Sequence, residues 1–313
     1  MKIVTVTLNP CIDKTLWVER VVADRKLAGR DVHEYPGGGG INVARVITRL
    51  GCEVRALWSW GGDMGSRLGR LVDSEHLSHL PIPIDGEVRE NVIVTDRSTG
   101  EQYRFGMPGP RLSEAEQLRW IEVLRELPKS VEYVVMSGSL PDAAPVDWFG
   151  ELLRAVPRGA KIIVDTKQDA LRRALEIGVY LIKPNLRELE EVIGREMLHD
   201  GEIERAAREI IERGGAEVVL VSLGRGGAIL ITAQGTDHFA SPPVRVRSKV
   251  GAGDSMVGAL TSALAEKRPL AEAARFGVAA GAAAVMNDGT ELCRREDTER
   301  LYASVSHQER ATS

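Results

Sequence analysis

The chain has 313 residues, enough for one large α/β domain or two smaller ones, and its 43% hydrophobic content is that of a globular protein with a substantial core. A formal charge of -4 and a pI near 6.0 exclude a basic footprint for nucleic acid or for a membrane surface, so any positive site must be local. Cys11, Cys52 and Cys293 are odd in number, far apart and without metal-type spacing, and they read as reduced thiols. The N-terminus starts directly as a strand without an apolar signal segment, and the longest apolar run, 276–286, is about half the length a bilayer requires. A cytoplasmic protein without disulfides is the expectation.

In chain order, β-branched runs predict strands at 3–8, 54–60, 131–136, 161–165, 180–183, 218–222 and 227–231. Between them, helical periodicity marks 41–50, 64–77, 114–126, 147–155, 168–176, 186–193, 202–213, 254–266, 270–286 and 296–304. Ser113 with Glu116 forms a capping box at the start of one of these helices. The alternation of strand and helix implies a mainly parallel sheet with helices on both faces. Two stretches depart from it. Residues 12–35 form no good helix, and 87–106 read as a hairpin with its turn at 96–100. Strands inserted there cannot all join the central sheet, so a small second sheet is expected as a lid over the carboxyl ends of the main strands, where open α/β sheets bind ligands. The polar tail from Ser306 is expected to fray.

The chemistry concentrates where glycines precede helices. Gly251-Ala252-Gly253-Asp254 opens an apolar helix, and converging backbone N–H groups together with the helix dipole make such a place an anion hole. Asp254 at its edge is suited to take a proton from a hydroxyl while the hole holds the charge of a transferring phosphoryl group, although by itself it is also an ordinary N-cap. A second cluster, Gly37-Gly38-Gly39-Gly40-Ile41-Asn42, precedes the first helix. Lys183-Pro184-Asn185 ends a buried strand, and Asn185 with Glu188 has the form of a capping box. No Gly-x-Gly-x-x-Gly dinucleotide fingerprint and no Gly-x-x-x-x-Gly-Lys-Ser/Thr phosphate loop occurs, which removes two other α/β nucleotide-binding classes. A non-catalytic sugar-phosphate sensor is the alternative of a different kind, and the intact glycine approach to Asp254 argues against it.

These motifs, together with Thr7-Leu8-Asn9-Pro10 followed by Asp13, Ser137-Gly138-Ser139-Leu140-Pro141 and Ser222-Leu223-Gly224, resemble those of the phosphofructokinase B family of ribokinase-like sugar kinases from about residue 3 to residue 303. The resemblance implies a single kinase domain over 1–313, with a three-layer fold and a lid built from about 12–35 and 87–106. It implies that Asp254 is the general base, with Gly251, Ala252 and Gly253 as the anion hole. Asp13, Gly38, Gly39, Asn42 and Ser139 would hold the sugar, while Lys26, Arg89 and Arg104 would converge on a substrate phosphate. Lys183 and Asn185 would face the phosphates of ATP, and Ser222, Leu223, Gly224, Gly226, Gly227, Val278 and Ala282 would line the nucleotide site. Glu188 would serve the Mg²⁺ that accompanies ATP. Ser248, Val250, Ala284, Asn287 and Gly289 fall where the family holds a monovalent cation, usually K⁺.

The hairpin sequence from Gly100 to Gly109 is similar to the minor type of bacterial 6-phosphofructokinase. Gly39 stands where 1-phosphofructokinases and tagatose-6-phosphate kinases of the family usually carry lysine. Both features favour ATP-dependent phosphorylation of the 1-hydroxyl of fructose 6-phosphate, with tagatose 6-phosphate and fructose 1-phosphate as the alternative substrates. A homodimer paired through the lids is expected, and neither nucleic acid nor membrane is expected as a partner.

Overall fold

Residues 1–197 and 199–311 are described by the structure, a computed structural model. The chain opens with β1 (Ile3–Thr7), β2 (Cys11–Val18), β3 (Arg30–Gly37), α1 (Gly39–Arg49), β4 (Val54–Trp60), α2 (Gly62–Ser74) and β5 (His79–Pro83). It continues through β6 (Arg89–Asp96), β7 (Gln102–Gly106), α3 (Glu114–Arg125), β8 (Tyr133–Ser137), α4 (Val146–Ala155), β9 (Lys161–Asp165), α5 (Gln168–Ile177) and β10 (Val179–Ile182). Then follow α6 (Leu186–Ile193), α7 (Asp200–Glu212), β11 (Ala216–Ser222), β12 (Ala228–Thr232), β13 (Gly235–Ala240), α8 (Ala252–Ala265), α9 (Leu270–Ala284), α10 (Arg295–Tyr302) and β14 (Ser306–Ala311).

The main sheet has ten strands in the order β14-β13-β12-β11-β10-β9-β8-β1-β4-β5. From β5 to β11 every neighbouring pair is parallel, and β12, β13 and β14 extend that edge antiparallel. Successive side chains of a strand point to opposite faces, and each parallel strand therefore feeds two cores. Ile3, Tyr133 and Val135 pack on one face with Val43, Val257 and Val278 of α1, α8 and α9. Val4, Val134 and Met136 pack on the other with Trp120, Leu152 and Ile210 of α3, α4 and α7. The result is three layers, helix over sheet over helix.

A second, four-stranded sheet has the order β3-β2-β6-β7. Its outer pairs are antiparallel hairpins and its middle pair, β2 with β6, is parallel. Only Leu8-Asn9-Pro10 separates β1 from β2, which ties the base of this small sheet to the carboxyl edge of the main one. Asp96 closes the β6–β7 turn, its Oδ1 accepting from the Ser98 N–H at 2.9 Å and hydroxyl at 2.7 Å.

All ten expected helices form within a few residues of their predicted ends, and the Ser113–Glu116 capping box is present. The strand expectations missed β5, β13 and β14. In β5, His79-Leu80-Pro81-Ile82-Pro83, two prolines argue against a strand, yet it sits at a sheet edge where a missing N–H does no harm. The tail expected to fray instead pairs with β13 from Ala240↔Ser306 to Gly235↔Ala311, and His307 stacks on Phe239 at a centroid distance of 4.8 Å. Its polar sequence carries no alternation because an edge strand held by backbone hydrogen bonds needs little.

Candidate active site

The first turn of α8 forms the floor of the site. Gly251 is its N-cap at φ 75°, a left-handed conformation that glycine adopts without strain, and the first helical bond runs from the Ser255 N–H to the Gly251 carbonyl at 2.8 Å. The helix begins earlier than the sequence suggested, so Asp254 is its third residue rather than its N-cap. The N–H groups of Ala252, Gly253 and Asp254 belong to the turn that a helix leaves without intrahelical partners. Burial, and then the nearby carboxylate of Asp165, push the Asp254 carboxyl from the ordinary value near 3.8 up to about 7, while a hydrogen bond from Asn42 works the other way.

That hydrogen bond, Asn42 Nδ2 to Asp254 Oδ2 at 2.9 Å, has a built-in orientation. Arg45, 1% exposed, donates from Nη1 to Asn42 Oδ1 at 3.2 Å and to the Pro36 carbonyl, and its Nε donates to Glu75 at 2.9 Å. A guanidinium can only donate, so Asn42 must turn its amide oxygen to Arg45 and its NH₂ to Asp254. Residues 42 and 45 lie on one face of α1, and helical spacing alone brings them together.

Lys183, 5% exposed and just beyond the end of β10, pairs with Asp165 at the end of β9 at 3.2 Å. Its ammonium lies beside the Gly253 backbone. Burial alone would lower the Lys183 pKa, but Asp165 and then Glu188 outweigh it and raise the value, so the cation persists at the mouth of the anion hole. Asp165 escaped the sequence reading, which treated it only as a strand end. Its place at the carboxyl end of a parallel strand was the available signal. Asn185 and Glu188 form the full capping box, each side chain bonded to the other's backbone N–H at 2.9 Å. The Asn185 amide oxygen is therefore committed to the helix, which leaves its NH₂ as the group able to donate to phosphate oxygens. Burial raises the Glu188 pKa despite the Asn185 N–H it accepts.

On the side of the small sheet, Asp13 of β2 is 7% exposed and accepts from Asn91 Nδ2 at 2.9 Å and Cys11 Sγ at 3.3 Å. Burial, followed by Asp13, drives the Cys11 thiol well above its ordinary range and leaves it an inert donor. Ser139 accepts from Asn9 Nδ2 at 3.1 Å. Gly38 caps α1 at φ 104°. A Cβ on Gly39 would lie 2.2 Å from Ser137 Oγ and 2.7 Å from the Gly138 nitrogen, so this loop has no room for the lysine that other members of the resembled family carry.

Within one chain, the three cations expected to converge start from positions spaced along the small sheet and the connection beside it. Arg89 lies at the base of the small sheet, opposite Cys11, and donates to Asn91 Oδ1 at 3.0 Å. Arg104 pairs with Ile93, four residues further along β6, or about 13 Å at strand rise. Lys26 lies on the exposed 19–29 connection beyond the far end of β2, where Trp17 pairs with Arg30, about 20 Å along the strand from Cys11. A hairpin brings together residues equidistant from its turn, and 89 and 104 are not.

The pfkB family carbohydrate kinase profile matches residues 6–297. The chain belongs to that family. It is 40% identical over 308 residues to ATP-dependent 6-phosphofructokinase isozyme 2 of Escherichia coli K12, covering 98% of this chain and 99% of the relative. It is 32% identical over 304 residues to 1-phosphofructokinase of Bacillus subtilis, covering 97% and 98%. Among solved structures, Escherichia coli phosphofructokinase-2 in complex with potassium matches with a TM-score of 0.93 at 40% identity, covering 97% of this chain and 98% of that one.

Beside the anion hole of this pfkB kinase lies a cavity of about 610 Å³. Ser222, Gly224, Gly227, Gly253, Val278 and Ala282 line it as expected, and so do the 241–249 connection through Pro242, Pro243, Val244, Val246 and Lys249 and the guanidinium-bearing Arg225. That connection was missed, because it has neither periodicity nor a motif. Leu223 and Gly226 do not line the cavity: Leu223 turns into the core under the sheet, and Gly226 sits on the outside of the 3-10 turn at 224–226.

Ser248, Val250, Asn287 and Gly289 fall on two abutting loops. Ser248 Oγ donates to the Gly289 carbonyl at 2.7 Å and accepts from the Val250 N–H at 3.2 Å. The Ala284 carbonyl accepts from the Asn287 N–H, and Asn287 Nδ2 donates to the Leu292 carbonyl. The Thr290 hydroxyl between them is buried without a protein partner. Neutral oxygens of this kind fit an alkali cation. No cluster of three His, Cys, Asp or Glu groups able to hold a metal occurs among the described residues.

Proposed function

We propose that this kinase transfers the γ-phosphoryl group of ATP to the 1-hydroxyl of fructose 6-phosphate, forming fructose 1,6-bisphosphate. The observation that carries the reading is Asp254, a carboxylate with a pKa near 7 on the first turn of α8, oriented by Asn42 and flanked by the Lys183 cation. Asp254 takes the hydroxyl proton as the sugar oxygen bonds to phosphorus and ADP departs. The N–H groups of 251–253 meet the charge on the transferring group, in a field that needs no reorganisation. A pKa near the working pH suits a general base.

Asp13, Asn42, Ser139 and the glycine backbone at 38 and 39 hold the sugar, and Arg89 reads its phosphate, with Arg104 further along the same face of the lid. ATP occupies the 610 Å³ cavity, with its base against Val278 and Ala282. Mg²⁺ enters with the nucleotide near Glu188, and K⁺ fits between the 248–250 and 284–290 loops, where it would steady the backbone that leads into the anion hole. The potassium complex of the Escherichia coli relative supports that reading. The whole chain acts as one kinase domain whose small sheet is the lid, and two copies pair through their lids. Its three free thiols suit the cytoplasm.

Fructose 6-phosphate is favoured over the family's other phosphosugars by the 40% identity to a 6-phosphofructokinase and by the absence of space for a lysine at Gly39. Turnover of fructose 6-phosphate, fructose 1-phosphate, tagatose 6-phosphate and unphosphorylated fructose with Mg-ATP tests the assignment. A higher kcat/KM for fructose 6-phosphate than for each of the others is expected, and a higher value for fructose 1-phosphate overturns it.

A further inference from the structure

Asn91, the third residue of β6, makes four hydrogen bonds, the most its side chain can offer. Its Nδ2 donates to Asp13 Oδ1 at 2.9 Å and to Cys11 Sγ at 3.1 Å. Its Oδ1 accepts from Arg89 Nη1 at 3.0 Å and from the Met107 N–H at 3.3 Å. Two acceptors stand on one side and two donors on the other, so only one orientation of the amide satisfies the set. The register explains the meeting: Asn91 lies opposite Asp13 on β2 and opposite Gly106 on β7, next to the chain leaving the hairpin. Arg89 is two residues back on the same face.

We infer that Asn91 is a positioning residue that holds the sugar-directed carboxylate of Asp13 and the phosphate-directed guanidinium of Arg89 at one fixed separation, and so matches the site to a sugar carrying its phosphate at a set distance from its hydroxyls. The inference rests on the roles given above to Asp13 and Arg89. Without the amide between them, Arg89 keeps only the Met107 and Asn9 carbonyls and Asp13 only the Cys11 thiol, and no side chain links the two across their neighbouring strands. Arg89 keeps one buried donor, Nε, without a protein partner, as a group awaiting a ligand would. Because Asn91 also accepts from the Met107 backbone, the exit of the β6–β7 hairpin is tied to the same spacing.

The test is equilibrium binding of fructose 6-phosphate and, separately, of Mg-ATP to the full-length protein and to Asn91→Asp, measured between pH 5.5 and 8. This substitution keeps the acceptor for Arg89 and Met107 and replaces the donor facing Asp13 and Cys11 with a second carboxylate. The charged or titratable groups around it are Asp13 and Cys11 from β2 and Arg89 from β6, with Asp254 of α8 acting on both β2 groups. Two carboxylates in contact share a proton at raised pKa, and the protonated form can donate again. At pH 8 the Kd for fructose 6-phosphate is expected to rise roughly 10- to 100-fold over that of the parent protein, with Mg-ATP binding within about twofold, and the ratio to the parent should shrink toward unity by pH 5.5.

Asn91→Gln carries the same groups one methylene too far and should weaken fructose 6-phosphate binding by about tenfold at every pH; it decides the matter if Asn91→Asp does not fold. Unchanged fructose 6-phosphate binding in a folded variant, or equal loss of both ligands without pH dependence, overturns the inference and leaves the substrate reading standing. A parent protein that binds no fructose 6-phosphate overturns both.

Discussion

Replacing Asp254 by asparagine keeps an oxygen for the Asn42 NH₂ and removes the charge, so its consequences for rate and for stability can be worked from the same structure. The carboxyl is raised from near 3.8 to about 7 in the folded protein, a little over three pH units. At about 1.4 kcal/mol per unit, ionised Asp254 costs the fold about 4 kcal/mol. The sign follows from proton binding: between about pH 4 and 7 the folded form retains a proton that the unfolded form has lost, so stability falls as pH rises through this window and levels off above it. Asp254→Asn carries no such group, and its advantage over the parent should be near zero at pH 4 and about 4 kcal/mol at pH 8. For 313 residues with an unfolding entropy of about 2.1 cal/mol/K each, that is a Tm higher by about 6 °C at pH 8. Turnover should fall roughly 10²- to 10⁴-fold, and the acid limb of kcat/KM, with its midpoint near pH 7 in the parent, should disappear. Thermal melts and pH–rate profiles of the two proteins measure both. A Tm difference independent of pH, or a parent acid limb near pH 4, would refute the burial argument; near-normal turnover would remove Asp254 as the base.

Arg89 stands at the base of the small sheet beside the Asp13–Asn91 pair, whereas Arg104 is exposed about 13 Å further along. Arg89→Ala is therefore expected to raise the KM for fructose 6-phosphate by about tenfold or more, and Arg104→Ala by less, with the KM for ATP steady in both; the reverse order in steady-state kinetics would place the phosphate at Arg104. The outward face of the lid exposes Phe105 at 51%. If lids pair, Phe105→Glu should shift sedimentation from dimer to monomer at assay concentration, and an unchanged dimer would locate the interface elsewhere.

Within the sequence alone, the ten helices, the parallel sheet and the hairpin at 87–106 were readable, because amphipathic periodicity and turn residues are local properties. The glycines before α8, Asp254 itself and the 42/45 spacing on α1 were equally local. What depended on the third dimension was everything set by register and by pairing between distant segments. The polar segment 306–311 became a strand only because β13 offered an edge to it. Asp165 became part of the site only because β9 and β10 end side by side and Lys183 lies between its carboxylate and Gly253. Arg89 and Arg104 sit in the small sheet and Lys26 on the connection between two of its strands, but pairing of Arg104 with Ile93 rather than with a residue next to Arg89 spaced the two arginines along it. Asn91 has no motif to announce it, and its four partners come from positions 11, 13, 89 and 107. The sequence determined which groups are available and which helix end gathers charge. The tertiary structure decided which of those groups meet, since hydrogen bonds act over about 3 Å and only strand register and packing bring groups distant in the chain to that range.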